Sequence, residues 1–294
     1  MSVAPLRSDP ALRDSSVELT EDAVRHRYPP PWVLKAIFCG EICWILSEVT
    51  WILLIPQVCV PAGALACAFI GSVAVFTARV GGRDDFAQSF SLLFQFLWLL
   101  INFVWMSEEV LWDAPDQPPP WNLTPIAEEN EDLFSRIEFP CAIAFCSLFI
   151  IFLIVVFIAH FFGHRIVGLP STKDMLISTG YLSTWALMDG LWAFETVAWL
   201  APTAALITVF LVPLSSIAET GLGWRGVDRT DVVWILWTLS NFLWIWTEQV
   251  EDEDLTYRYS AAVVGVASLS LLLGSFKQIK AREEAPTNDL CNDA

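Results

Sequence analysis

The sequence is short of the groups that most enzymes and nucleic-acid binders use. It has three histidines, His26, His160 and His164, too few for the multi-histidine clusters of membrane di-iron chemistry. His160 and His164 stand at the i,i+4 spacing that can hold a metal, but with no further ligand to place they read as a solvated interfacial pair. Cys39 and Cys43 share that spacing and also lack a third ligand. No Walker motif, dinucleotide fingerprint, G-x-S-x-G or H-E-x-x-H is read in the chain. No catalytic residue, resident metal or cofactor is therefore assigned. Basic residues are scarce as well, 16 Lys and Arg against 33 Asp and Glu, for a net charge of −17, and nucleic acid is not a partner. The first 31 residues contain no apolar core of the kind a cleaved signal peptide has. The seven cysteines are scattered, mostly inside apolar runs, and read as small buried residues rather than a disulfide framework.

Apolar residues dominate what is present. They make up 55% of the 294 residues, and mean hydropathy is +0.53. They come in blocks of about twenty, the length that crosses a bilayer as a helix. Eight blocks are read, at 32–56, 62–80, 86–112, 137–162, 174–200, 201–218, 230–250 and 258–279. Ala201-Pro202 divides the fifth from the sixth, because proline lacks the amide hydrogen a helix interior needs. The expected fold is all-α, a polytopic membrane protein with eight transmembrane helices.

Charge is segregated along that plan. Of the 16 basic residues, 14 fall in the N-terminal tail and first turn, in the connections after the second, fourth and sixth blocks, and in the C-terminal tail. Only Arg136 and Arg258 lie on the other side. The positive-inside rule then makes both termini cytoplasmic and puts the acidic segments outside or in a lumen; which membrane this is does not follow. Those segments are the proline-rich loop 113–136 and the EDED run at 251–254. They concentrate cations at that face. The expected organisation is a polar tail at 1–31, a first four-helix unit at 32–162, a second at 163–280 and a tail at 281–294. A glycosylation sequon, Asn122-Leu123-Thr124, falls on the outer loop, with an unfavourable Pro125 after it.

The odd-numbered blocks carry a repeated stripe. The third reads Trp98, Asn102, Trp105, Glu109, Trp112; the seventh reads Trp237, Asn241, Trp244, Glu248. The first reads Glu41, Trp44, Glu48, Trp51, and the fifth Trp185, Asp189, Trp192, then Trp199, with Glu195 one place early and Thr196 in register. At about 100° per residue each stripe occupies one helix face roughly 80° wide and about 21 Å long. The leading polar positions are taken as Glu41, Asn102, Asp189 and Asn241. Their alternation suggests a duplicated four-helix unit, two parallel repeats related by an axis along the membrane normal.

An ionisable group at the centre of a membrane helix costs about 2.5–3.5 kcal/mol, so it normally faces protein or water. The odd helices are therefore expected to form an inner set. In one reading their stripes enclose a hydrated pathway for a cationic or protonatable solute. Glu48, Glu109 and Glu248 line its mouth, Glu41 and Asp189 lie deeper as symmetry mates, and Asn102 and Asn241 stand beside them as neutral donors. Trp44, Trp105, Trp192 and Trp244 offer π-faces to an organic ammonium. If Glu41 and Asp189 face each other in a dry site, one of them keeps its proton near neutral pH. In the competing reading the seam only glues helices or partner subunits, at roughly 0.6–2 kcal/mol per interhelical bond. Trp51, Trp112, Trp199 and Trp246 near helix ends then need no role beyond anchoring. The two readings separate on whether Glu41, Asn102, Asp189 and Asn241 line one open cavity. The partners implied are the bilayer, protons or a small cation, and in the competing reading an oligomer mate or a membrane-complex subunit.

Overall fold

The structure, a computed structural model, describes residues 30–80, 86–112, 131–162, 171–194, 199–249 and 255–284. These form eight α-helices and no strand: α1 (Pro31–Ile52), α2 (Pro56–Val80), α3 (Phe86–Trp112), α4 (Glu131–Phe162), α5 (Thr172–Ala193), α6 (Leu200–Thr220), α7 (Arg229–Gln249) and α8 (Leu255–Glu284). A 3₁₀ turn, Gly223–Gly226, precedes α7.

The helix ends follow local chemistry. Prolines stand at the starts of α1 and α2, where a missing N–H costs nothing. Between them Leu54 takes a positive φ of 51°, a costly conformation for a branched residue. It lets Leu54 N donate to Trp51 O and Ile55 N to Thr50 O, closing the turn. Ser171 and Asp174 form a reciprocal capping box on α5. Asp228 and Asp231 do the same for α7, and Ser216 Oγ on α6 donates to Asp231 Oδ1. Gly221, at φ 68°, caps α6. Residues 221–226 spell G-x-G-x-x-G, but they follow a helix rather than a strand, so the dinucleotide-binding context is missing.

Boundaries differ from the sequence expectation at several helix ends; α5, expected to run to 200, ends at Ala193, and α2, expected from 62, starts at Pro56. Helix α1 stops at Ile52, short of 56, because Pro56 restarts the chain as α2. Helix α4 begins at Glu131, inside the expected loop 113–136. Helix α8 continues to Glu284, into the expected tail. The break between α5 and α6 falls before Pro202, which lies in the first turn of α6. The rest of the acidic loop, the sequon, Glu195, Thr196 and the EDED run lie outside the described residues.

Each helix packs on the next, and α8 closes back onto α1, so the eight form a ring; α3 also packs directly on α5. The odd helices turn their tryptophans into the ring. The even helices present apolar side chains outward, Ile150, Leu153 and Phe157 on α4 and Ile207, Phe210 and Leu214 on α6 among them. Five helices are long and apolar enough to cross a membrane: α2, α3, α4, α6 and α8. The other three, α1, α5 and α7, are stripe helices whose acids, amides and indoles lower their hydropathy.

Candidate functional site: a polar layer between tryptophan tiers

The four stripes share a tighter register than their sequence reading gave them. Each is W-x3-[E/N/D]-x2-W: Trp44, Glu48, Trp51 on α1; Trp98, Asn102, Trp105 on α3; Trp185, Asp189, Trp192 on α5; Trp237, Asn241, Trp244 on α7. One turn of helix separates successive members, so the stripes meet level by level.

The first level is a tier of four indoles. Trp98 lies 5.4 Å from Trp44, 5.5 Å from Trp185 and 5.8 Å from Trp237, and Trp185 lies 4.7 Å from Trp237. Most of these contacts are edge-to-face. A second tier is centred on Trp51, 5.7 Å from Trp105, 5.3 Å from Trp192 and 5.9 Å from Trp244; Trp105 and Trp192 are 4.9 Å apart.

Between the tiers lies a layer of two carboxylates and two amides. Glu48, Asn102, Asp189 and Asn241 are 4%, 2%, 3% and 3% exposed, so their polar atoms must find partners inside the protein. Asp189 Oδ2 accepts from Trp98 Nε1 at 2.6 Å and from Asn102 Nδ2 at 3.0 Å. Asn102 Nδ2 also donates to Trp98 O, and Asn241 Nδ2 to Trp237 O. Asn241 hydrogen-bonds the Glu48 side chain, and Asp189 is within electrostatic reach of Glu48.

This geometry corrects two sequence assignments. Glu48, rather than Glu41, shares a level with Asp189. Glu41 lies one turn beyond the first tier, in register with the buried Gln95 of α3, and Tyr181 is in its electrostatic reach. The sequence misled because E-x2-W-x3-E-x2-W repeats itself after seven residues, so α1 fits the stripe in two registers. For the same reason Trp44, Trp105, Trp192 and Trp244 do not form one ring. Trp44 belongs to the first tier and Trp51 takes the place in the second, with neighbouring indoles packed against it. Trp51 is accordingly 1% exposed, a core residue and not an interfacial anchor, whereas Trp199 is 61% exposed.

At the far side of the second tier stand Glu109, half-buried, and Glu248, exposed. Trp192 Nε1 donates to Glu248 Oε2 at 2.9 Å. Arg258, which the sequence showed only as an exception to the charge segregation, closes this end. Its guanidinium carbon sits 4.5 Å from the Trp244 ring centre, and its Nε donates to Ile52 O at 2.8 Å.

Among the described residues the layer is bonded and enclosed, so Glu41, Asn102, Asp189 and Asn241 do not line one open cavity, which is the outcome the helix-seam reading expects. Two grooves on the described residues, one between α2 and α3 and one along α8, are lined by neither the layer nor the tiers. Enclosure leaves some polar atoms unserved. Among the described residues, Glu48 Oε2 and the Nε1 atoms of Trp44, Trp51, Trp234, Trp237 and Trp244 are buried with no hydrogen-bond partner. An edge-to-face indole pair contributes about 0.5–1.5 kcal/mol beyond its buried area. A buried donor left unpaired costs about 1–3 kcal/mol. On these magnitudes the unpaired donors offset the aromatic gain, so the tiers are not a packing optimum.

No protein-family model matches this chain, and no match to it was found among curated proteins or solved structures.

Proposed function

We propose that this is a multi-pass membrane protein of the secondary-carrier or channel type, in which the Glu48–Asn241–Asp189–Asn102 layer binds the transported or coupling cation. One observation carries the reading: two carboxylates share one buried layer where two amides alone would satisfy helix packing. Coulomb repulsion in a low-dielectric site disfavours charging both carboxyls at once, and intramembrane acids of this kind mark ion and proton routes. The solute class narrows accordingly. Tiers packed edge to face leave no open aromatic face for an organic amine in this closed form, while a proton needs no volume.

The finer architecture belongs to the same proposal. All eight helices span the bilayer, both tails are cytoplasmic, and the acidic connections face outside or a lumen. The two halves are parallel repeats. Exchanging α1–α4 with α5–α8 maps the neighbour pairs of the ring onto themselves, and it exchanges Glu48 with Asp189 and Asn102 with Asn241.

A second reading is favoured by the bonded state of Asn102, Asp189 and Trp98: a scaffold or complex subunit in which the seam only joins helices. The experiment is proton flux in proteoliposomes holding a pH-sensitive dye, under an imposed potential, with and without metal cations and small amines. Carrier function predicts flux that falls with Glu48→Gln or Asp189→Asn in protein that remains folded. Flux equal to that of protein-free vesicles, with both substitutions changing only thermal stability, selects the scaffold.

A further inference from the structure

The two sides of the core are unequal. On the α3/α5 side the layer groups and three of the four tier indoles have a described bond: Trp98 and Asn102 to Asp189, Trp185 Nε1 to Thr238 Oγ1, and Trp192 Nε1 to Glu248. On the α1/α7 side four tier indoles, Trp44, Trp51, Trp237 and Trp244, have no acceptor, and Glu48 Oε2 has no donor. Backbone packing repeats the difference. Helices α3 and α5 pack directly, while among the described residues α1 and α7, which hold the equivalent places, are not a closely packed pair. Helix α8 packs on both α1 and α7, as α4 packs on both α3 and α5, so α8 is what lies over the α1/α7 seam.

Helix α8 is held more closely by α7, where Ser268 Oγ donates to Val233 O at 2.8 Å, than by α1. Gly265 lies where a Cβ would stand 2.7 Å from Val49 on α1 and 3.2 Å from Ser240 Oγ on α7. Ser240 Oγ donates to Ala261 O at 2.7 Å, and Arg258 spans Ile52 O and the Trp244 ring.

We propose that the α1/α7 seam beneath α8 is where water delivers a proton to the layer, that Glu48 is the carboxylate that exchanges it, and that Asp189 is a fixed, hydrogen-bonded partner. The proposal rests on the ion-binding reading above and names its exchange group and route. The chemistry of the unserved atoms selects water as the carrier: it donates to a carboxylate oxygen and accepts from an indole N–H at once. A hydronium ion gives one proton to Glu48 Oε2 and remains as water, whose oxygen is free to accept from an unpaired indole N–H. Glu48 is faced by Asp189 from α5 and Cys59 from α2. Beyond the second tier lie Glu109 of α3, Glu248 of α7 and Arg258 of α8.

The test uses dicyclohexylcarbodiimide, an apolar reagent that modifies protonated carboxyl groups, on the full chain in detergent, with the modified residue located by peptide mass mapping. The expected result is modification of Glu48 well before Asp189, slowed as pH rises. Arg258→Ala removes the charge-assisted bond that holds α8 to α1 and is expected to speed Glu48 modification roughly tenfold by easing local opening. Asp189 modified first or equally fast, or a Glu48 rate unmoved by Arg258→Ala, overturns the proposal. Should Arg258→Ala not fold, the order of modification in the unsubstituted chain still decides between the two carboxylates, and Ser240→Ala, which frees Ala261 O, tests the seam. Glu48 modified first in a protein without proton flux leaves this inference standing while the carrier reading fails; flux with Asp189 modified first does the reverse.

Discussion

Trp98 and Trp51 are the same residue type, equally buried, and differ in what the indole N–H meets. Trp98 donates to a carboxylate at 2.6 Å, while Trp51 Nε1 has no acceptor. Phenylalanine at either position leaves a comparable gap but removes a hydrogen bond only at Trp98. A bond to a charged group contributes about 1.5–3 kcal/mol, so Trp98→Phe is expected to lower stability by about that much more than Trp51→Phe, read as the difference between their unfolding temperatures in one detergent. Asp189→Leu is expected to be worse than Asp189→Asn, because it leaves the Trp98 and Asn102 donors unpaired together. At this scale the residue types of the site were legible in the sequence, and their levels were not. Asn102, Asp189 and Asn241 each fit the stripe in one register. Glu41 and Glu48 both satisfy a seven-residue period, and only the packing of Trp51 against Trp105 and Trp192 decides between them. The role of Arg258 had no pattern to betray it, since it depends on Ile52 and Trp244 from other helices.

Among the elements, the apolar helices were the easy part. A run such as CAIAFCSLFIIFLIVVFIA admits little but a membrane span, and α4 is one of the five helices whose length and apolarity suffice. Helices α1, α5 and α7 do not meet that measure, because a helix that faces other protein carries groups a lipid-facing one excludes. Their existence was legible as apolar blocks of about twenty residues, and the stripe explains why they fall short of the stricter measure. Element ends were read less well: α4 begins at Glu131, in a stretch whose acidic composition reads as loop. Two glycines give opposite expectations. A side chain at Gly265 meets Val49 and Ser240, so Gly265→Val is expected to cost about 1–3 kcal/mol by overpacking the α1/α7/α8 junction. Gly180, inside α5, has nothing within 4 Å of a Cβ, and Gly180→Ala is expected to stabilise by about 0.5–1 kcal/mol through helix propensity. Thermal unfolding of both variants beside the parent checks the pair.

For the whole molecule, the ring returns α8 to α1, so the first and last helices are neighbours. With all eight helices spanning, residues 1–29 and 285–294 are expected to be reached by an impermeant thiol reagent from the same face of sealed vesicles, through single cysteines placed at Ser8 and Thr287, and a cysteine at Ser135 only from the other. Labelling of the two tails from opposite faces counts against the even number of spans. The closed ring also has an optical consequence. Eight indoles held 4.7–5.9 Å from their neighbours at fixed angles have transition dipoles close enough to couple. The folded protein is expected to show a strong exciton couplet in its ultraviolet circular dichroism. Any motion that parts the tiers to admit an ion weakens that couplet, so the core carries its own dye-free gauge of opening, readable in real time as pH or voltage is stepped.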